Sequence, residues 1–438
     1  MKIGMFGTGY VGLTTGTCLA DLGNDVVCYD VDTEKIAKLK NGSVPFYEPG
    51  LKELIERNVK EKRLIFTNVS TEAVLNAEVI FIAVGTPDKN GTADLTYLFK
   101  AAEEIAKNME GYKVIVIKST VPVCTSEKIG AYIKKITKHE SDMVSNPEFL
   151  REGEAIKDFM NPDRVVIGIN SGIRNDKAKD IMVKIYKGIE RVGKPIVITD
   201  IKSAELIKYA SNAMLAARIS FMNQLTCLCE KVGADIKEVA KGIGLDARIG
   251  PRFLQAGIGY GGSCFPKDVR ALAATMREQG CESELLDAIE AVNERQKVSL
   301  IPKIEKCVGT IKGKTIGILG LSFKPKTDDM RDAPSLIVIQ ELRNRGAKIK
   351  MFDPVAMENA KKYFSERDKG YYDYCKNAYD AAKGSDCLVI VTEWDEFRYL
   401  DKEKLKQAMK TPIIIDGRNI YDPDEMRELG FIYVSMGR

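Results

Sequence analysis

Gly7-Thr8-Gly9-Tyr10-Val11-Gly12 is the segment that most restricts what this chain can fold into. It follows a short β-rich run, residues 3–6, and opens an amphipathic stretch over residues 14–22. The first glycine permits a tight turn after a strand. The second lets backbone approach a pyrophosphate, and the third lets the next helix pack close to the sheet. The helix start then presents free N–H groups and the positive end of its dipole to phosphates. A bare Gly-x-Gly-x-x-Gly is a weak signal, but this one has the right setting. A second β-rich run, 26–29, ends at Asp30, close to the roughly 20-residue offset of an acid that binds a ribose diol. A carboxylate there repels a 2′-phosphate, so the pattern predicts NAD rather than NADP. Lys35 pairs with Asp30, contacts the cofactor or stays solvated; the sequence leaves these open.

The alternation of strand and helix continues. Residues 79–84, 114–117 and 143–145 read as strands, 95–107 as a helix, and 164–169 and 196–198 as further strands. Such alternation predicts a parallel sheet with helices on both faces. The pattern then changes. Residues 203–232 contain no Gly or Pro and repeat apolar residues at helical spacing; thirty residues of helix span about 45 Å. A helix of that length suits a spine between domains or the core of a dimer. Helical sequence follows over 235–241, 269–278 and 284–307. A second alternating region begins at Lys314, with strands over 315–319, 347–352, 387–391 and 413–415 and a helix over 335–345. A chain of 438 residues is too long for one core. The fold class predicted is α/β: two Rossmann-like doubly wound domains, residues 1–200 and 311–438, joined by a central helical domain, 201–310, with one long helix.

Hydrophobic residues at 45% and charged residues at 29% match a soluble globular protein. The net charge is +4 and no basic tail is present, so nucleic acid is not an expected partner. No apolar run approaches the roughly 18 residues of a membrane helix. The N-terminal residues run straight into the strand and turn, without the apolar segment and cleavage site of a signal peptide, and a cytoplasmic location is expected. The ten cysteines include no Cys-x-x-Cys pair. Disulfides and a metal site are therefore not expected, and most of the ten read as small core residues. His139, the one histidine, lies in a polar stretch and reads as a surface residue. Acid–base chemistry must then come from carboxylates, lysine, cysteine or water.

The richest chemical segment is Gly259-Tyr260-Gly261-Gly262-Ser263-Cys264-Phe265-Pro266-Lys267-Asp268. The glycines let a substrate approach the backbone closely. Pro266 starts a helix where its missing N–H costs nothing, which places Cys264 near a helix start, where the dipole favours a thiolate. Ser119-Thr120-Val121-Pro122 and Asn146-Pro147-Glu148-Phe149-Leu150-Arg151-Glu152-Gly153 each follow a strand. In a parallel sheet those positions face the usual ligand crevice, although plain turn chemistry would explain either one. Lys208 and Asn212 share one face of the long helix, with Glu205 a turn earlier; spacing alone does not promote them.

Taken in order, these motifs resemble the UDP-glucose/GDP-mannose dehydrogenase family. Phe323-Lys324 and Asp416-Gly417-Arg418-Asn419 complete the resemblance, which covers essentially the whole chain. It implies oxidation of a primary alcohol to an acid by two successive hydride transfers to NAD, without release of the aldehyde. By motif, Cys264 is the nucleophile that forms a thiohemiacetal and then a thioester. Lys208 stabilises the oxyanion at the reacting carbon, with Asn212 as second donor. Asp268 and Thr120 hold the water that takes the first proton, and Glu148 is the base in hydrolysis. The resemblance assigns the cofactor to Gly7, Gly9, Tyr10, Val11, Gly12, Asp30, Lys35, Thr86, Thr120, Glu152, Lys267 and Arg331. It assigns the sugar nucleotide to the loop Glu148, Phe149, Leu150, Arg151 and Glu152, to Lys208 and Asn212, and to Phe253, Leu254, Gln255, Ala256, Gly257 and Gly261. Phe323, Lys324 and Arg418 serve the same ligand, the last two suiting its diphosphate. Arg248 reaches into a neighbouring subunit's sugar pocket, which implies a homodimer through the central helical domain.

Within the family, Phe265-Pro266-Lys267-Asp268 and Asp416 through Tyr421 favour UDP-glucose as the substrate. GDP-mannose or a UDP-N-acetylhexosamine with the same chemistry is the first alternative. A non-catalytic protein binding NAD and a nucleotide sugar is the second.

Overall fold

The computed structural model describes residues 1–89, 91–170, 175–364 and 370–438. They group into two compact units: Met1–Ser211 with Ala274–Cys281, and Asn212–Ala273 with Glu282–Arg438.

The first unit is built on an eight-stranded sheet. Its strands are β1 (Lys2–Phe6), β2 (Asp25–Tyr29), β3 (Leu64–Thr67), β4 (Val79–Ile82), β7 (Lys113–Ile117), β8 (Ser141–Ser145), β9 (Val165–Ile169) and β10 (Ile196–Thr199). A small hairpin, β5 (Asp88–Lys89) and β6 (Thr92–Ala93), stands apart. The spatial order is β10-β9-β8-β7-β4-β1-β2-β3, so the order reverses between β1 and β4, where doubly wound sheets bind nucleotides. Central strands are apolar on both faces, as a sheet covered by helices on both sides requires. Val79 and Phe81 enter one core and Ile80 and Ile82 the other; Val114 and Val116 part from Ile115 and Ile117 in the same way.

One pairing departs from the parallel expectation. β9 runs antiparallel to β8, whereas β10 is parallel to β9. The segment between β8 and β9 holds only the six-residue helix Ala155–Met160, too little for a crossover to the opposite edge. It therefore stays along the carboxyl edge of the sheet, where ligands of such folds bind.

The second unit contains a wholly parallel six-stranded sheet: β11 (Thr315–Leu319), β12 (Lys348–Phe352), β13 (Tyr372–Tyr374), β14 (Cys387–Ile390), β15 (Ile413–Asp416) and β16 (Ile432–Ser435). Its order, β13-β12-β11-β14-β15-β16, is the six-strand doubly wound order. The two sheets share their opening turn. Gly7 N–H donates to Tyr29 O at 2.8 Å, and Gly320 N–H donates to Phe352 O at 2.9 Å. Asp30 follows the second strand of one sheet, and Asp353 the second strand of the other.

The long helix spans Ile201–Val232 and ends at Gly233, whose φ is +75°. The stretch 284–307, expected as continuous helix, is two helices, Glu284–Lys297 and Leu300–Val308. Pro302 explains the break: it has no N–H for the carbonyl four residues back and its ring would collide there, so it occupies the first turn of a new helix.

The cysteines also correct an expectation. Four of them, Cys18, Cys28, Cys229 and Cys387, are buried; Cys227 and Cys281 are exposed and the other four are half-buried. Helix ends and loops, where Cys124, Cys264 and Cys375 lie, leave a side chain partly open. His139 likewise is half-buried rather than on the open surface. It packs just past the helix Thr125–Ile136 and donates its N–H to Thr137 Oγ1.

Candidate active site

The glycine turn has the shape its sequence requires. Gly7 has φ +100°, and a Cβ on Gly12 would lie 2.1 Å from Gly7 O. A Cβ on Gly9 would meet nothing within 4 Å. That open space lies at the start of the helix Tyr10–Asp21, where no side chain caps the free N–H groups. Free N–H groups beside open space are the setting in which a helix start binds a pyrophosphate. Asp30 is held beside it. Thr8 donates to Oδ2 through N–H at 2.8 Å and Oγ1 at 2.7 Å, Lys35 Nζ stands 3.0 Å from the same oxygen, and Asp32 N–H donates to Oδ1. Burial works against the charge, but these donors prevail and hold the carboxyl below its ordinary range. Of the three options for Lys35, pairing with Asp30 is the one observed.

The carboxyl edge of the first sheet gathers the expected loops. Thr86 Oγ1 donates to Thr120 O at 2.9 Å, and Ser119 Oγ donates to Val84 O, which ties the turns after β4 and β7 together. Beyond β8, Glu148 forms a buried ion pair with Lys208 at 3.0 Å, each side chain 5% exposed. Leu150 N–H adds a bond to Glu148 Oε2. Burial raises the Glu148 pKa, yet Lys208, the backbone donor and the nearby Lys118 outweigh it and keep the group below the usual glutamate range. Phe149 lies against two cations, with Arg164 3.5 Å and Lys208 5.4 Å from its ring centre. Arg151 pairs with Asp158 and Glu154, and Glu152 is half-buried.

In the second unit, Cys264 caps the helix Phe265–Glu278. Its carbonyl accepts from Asp268 N–H at 2.8 Å, the first bond of that helix. The half-buried thiol therefore stands at the positive end of the dipole, the setting that favours a thiolate. Pro266 is the second helical residue, one place later than expected and still within the turn that needs no N–H. In the first turn, Asp268 is almost fully buried and takes two short donors, Asn212 Nδ2 at 2.6 Å and Lys267 Nζ at 2.6 Å. The glycines before Cys264 let backbone cross backbone. Gly262, at φ +85°, donates its N–H to Arg331 O at 2.8 Å, and any Cβ there would strike the Phe323 ring at 2.8 Å.

The other expected sugar-nucleotide residues also fall in this unit. Phe253 has φ +62°, an uncommon backbone for a bulky residue. Leu254, Ala256, Gly257 and Gly261 are buried and Gln255 is exposed. Arg418 is mostly buried; its Nε donates to Val391 O at 2.7 Å and its Nη1 to Gly259 O at 3.2 Å. Lys324 Nζ lies 5.6 Å from the Phe323 ring centre. Arg331 pairs with Asp329. Arg248 is 89% exposed and, among the described residues, pairs with its near neighbour Asp246.

Four residues to which sequence reasoning gave no role shape these sites. Glu48 is buried and accepts from the Tyr10 hydroxyl, from Gly153 N–H at 2.6 Å and from Ala155 N–H at 2.8 Å. It thereby ties the glycine turn to the loop that carries Glu148. Glu205, noted only for its spacing, accepts from Cys124 N–H, Ser126 N–H and Ser126 Oγ within 2.8 Å. Asp353 is fully buried and accepts from Leu321, Ser322, Val355, Ala356 and the Trp394 indole. The acid after the second strand is thus held by protein donors in both sheets, and in the second sheet it is closed off from solvent altogether. Lys118 is buried beside Asn146. No local sequence signal marks Glu48, Glu205 or Lys118, because their partners are distant in the chain. Asp353-Pro354 at a strand end was the one available hint.

Among the described residues, no cluster of His, Cys, Asp or Glu could hold a metal ion, and no helix is long and apolar enough to cross a membrane.

An open glycine turn followed by an acid after the second strand on one sheet, and a second sheet in the six-strand doubly wound order, define a protein built on two nucleotide-binding folds. The chain belongs to the UDP-glucose/GDP-mannose dehydrogenase family. Residues 1–190 match that family's NAD binding domain, 202–295 its central domain and 317–423 its UDP binding domain. A UDP-glucose 6-dehydrogenase of Rhizobium meliloti is 48% identical over the whole of both chains. The UDP-glucose 6-dehydrogenase TuaD of Bacillus subtilis is 47% identical over all of this chain and 93% of its own. A UDP-glucose dehydrogenase structure from Pyrobaculum islandicum superposes with a TM-score of 0.90 at 34% identity, covering 99% of this chain and 96% of the other. The cofactor is NAD, held by the first unit.

Proposed function

We propose that this chain oxidises UDP-glucose to UDP-glucuronate in two NAD-dependent steps through a covalent adduct on Cys264. The observation that carries the reading is the placement of Cys264 as the N-terminal cap of a helix whose first turn holds the buried Asp268–Asn212 pair. The names of its relatives support the choice of sugar.

Bound NAD would supply the hydride acceptor for each of the two oxidations. The C6 alcohol first loses a proton to a water held by Asp268 and Thr120. Lys208, with Asn212 four residues on along the same helix, stabilises the oxygen anion. Cys264 then adds to the aldehyde, so the C–S bond forms and the aldehyde is retained as a thiohemiacetal. The second oxidation converts that adduct to a thioester. Glu148 takes a proton from water, the water oxygen bonds to the carbonyl carbon, and the C–S bond breaks to return the Cys264 thiol and the acid. Tyr10, Val11, Asp30, Lys35, Thr86, Glu152, Lys267 and Arg331 serve the cofactor. Phe149, Leu150, Arg151, Phe253 to Gly257, Gly261, Phe323, Lys324 and Arg418 serve the sugar nucleotide.

The active form in this reading is a homodimer through the central helical domain, with Arg248 of each copy completing the other's sugar pocket. The exposed apolar row Met214, Phe221 and Leu228 on the long helix supports it. We infer a cytoplasmic location for this enzyme.

Stoichiometry tests the chemistry. Two NADH should form for each UDP-glucose consumed, and Cys264→Ala should form no UDP-glucuronate. One NADH with free aldehyde, or acid produced by the alanine variant, would overturn it.

A further inference from the structure

Lys118 closes the strand β7 side of the carboxyl edge, immediately before Ser119 and Thr120, and is only 4% exposed. Its Nζ donates to Asn146 Oδ1 at 3.1 Å and lies 3.5 Å from the Tyr186 hydroxyl, which itself donates to Asn146 Oδ1 at 2.6 Å. Asn146 Nδ2 donates to Val166 O at 2.7 Å. The amine thus has two neutral oxygen partners, and among the described residues no carboxylate comes within ion-pairing distance. An ammonium buried in this way is costly. Two charged groups act on it from the elements around it: Glu148, on the loop after β8, favours its charge, and Lys208, on the long helix, opposes it. Tyr186, on the helix Asn175–Arg191, stays protonated because burial raises its pKa. Lys208 is also the direct partner of Glu148.

We propose that Lys118 is a positioning residue that sets the basicity of Glu148: as an ammonium it shares with Lys208 in holding the carboxylate, and as a neutral amine it leaves that to Lys208. The proposal rests on the reading of Glu148 as the base in thioester hydrolysis. Burial, partly offset by Glu148, brings the Lys118 pKa down to about 7, so both forms are present near neutrality. Charged Lys118 makes Glu148 a weaker proton acceptor, and a weaker base slows proton removal from water. Hydrolysis should therefore speed up as pH rises through the Lys118 titration. Nothing need move, because Asn146 accepts from either form.

The test separates the second NADH, formed with the thioester, from release of the acid by rapid mixing and chemical quench, across about pH 6 to pH 8. Wild-type hydrolysis should rise roughly three- to tenfold over that range, the effect of one nearby charge on a carboxylate base. Lys118→Met keeps the length and removes the charge; its hydrolysis should be nearly flat with pH, at the wild-type alkaline level. Lys118→Arg keeps a charge throughout and should hold the acid-side level up to the alkaline end. Identical pH profiles in wild type and a folded Lys118→Met protein would overturn the proposal, whatever Lys118→Arg does. Glu148→Gln run alongside distinguishes the two failures. Slow hydrolysis in that variant with unchanged Lys118→Met profiles sinks only the role of Lys118. Wild-type hydrolysis in Glu148→Gln sinks the reading of Glu148 and the proposal with it.

Discussion

At the scale of single residues, the decisive feature is one ion pair in the buried edge of the first sheet. Glu148 and Lys208 are a nearly solvent-free pair, and removing one member of such a pair strands the other. Lys208→Met should destabilise the first unit by about 3–5 kcal/mol, measured by urea unfolding near neutral pH. The pH dependence has a definite sign. Glu148 is held below its unfolded value, so its pairing contributes fully above that value and is lost as pH falls through the folded pKa. The gap between wild type and Lys208→Met should therefore shrink in acid; a gap constant down to about pH 3 would contradict the pairing. Asp30 makes a second prediction at this scale. If Asp30 binds the ribose, Asp30→Ala removes a charged acceptor, and the KM for NAD should rise roughly 10- to 100-fold, while NADP, no longer repelled, should gain relative to NAD. An unchanged preference between the two cofactors would refute the ribose role.

At the scale of elements, long-range carboxylates fasten loops to helices. Glu205 projects from the long helix and satisfies three donors at the start of the helix Thr125–Ile136, where Cys124 adopts a left-handed backbone at φ +72°. Glu205→Ala leaves those donors unsatisfied and should cost about 2–3 kcal/mol, read as a lower thermal midpoint, with Ser126→Ala costing less. Equal stability in Glu205→Ala and wild type would show that solvent replaces the cap. How far the sequence could be read follows from the same distinction between local and distant interactions. The glycine turn, the cysteine cap and the long helix were legible because strand, turn, helix start and periodicity are encoded within a few residues. The edge strands β3, β13 and β16 were not. They are three or four residues long, and exposed residues such as Ile65 and Ile432 interrupt them, so any alternation is too short to stand out from loop sequence. Asp353 was legible only as a strand end, because its capture by Trp394, 41 residues on, is a property of the fold.

At the scale of the whole molecule, the long helix raises the question of what covers its outer row. Met214, Phe221 and Leu228 are spaced seven apart and are 64%, 56% and 56% exposed. Residues seven apart return to nearly the same face of a helix, and a contiguous exposed apolar row marks an interaction surface. A two-fold axis satisfies such a row with a second copy of itself, since an isologous interface pairs one patch with the same patch. Carboxylates at the centre of that row would face their own images, where burial and like charge both oppose contact. The double variant Phe221→Glu, Leu228→Glu should therefore sediment as a monomer while its far-ultraviolet circular dichroism stays unchanged, because both positions point away from the core. If Arg248 acts in the partner's sugar pocket, this monomer should keep its NAD affinity and lose most of its affinity for UDP-glucose. Arg248→Ala, which leaves the row intact, should show the same loss in a protein that is still dimeric. A variant that remains dimeric would remove this face as the interface. A monomer with undiminished turnover would instead spare the interface and remove Arg248 from the site.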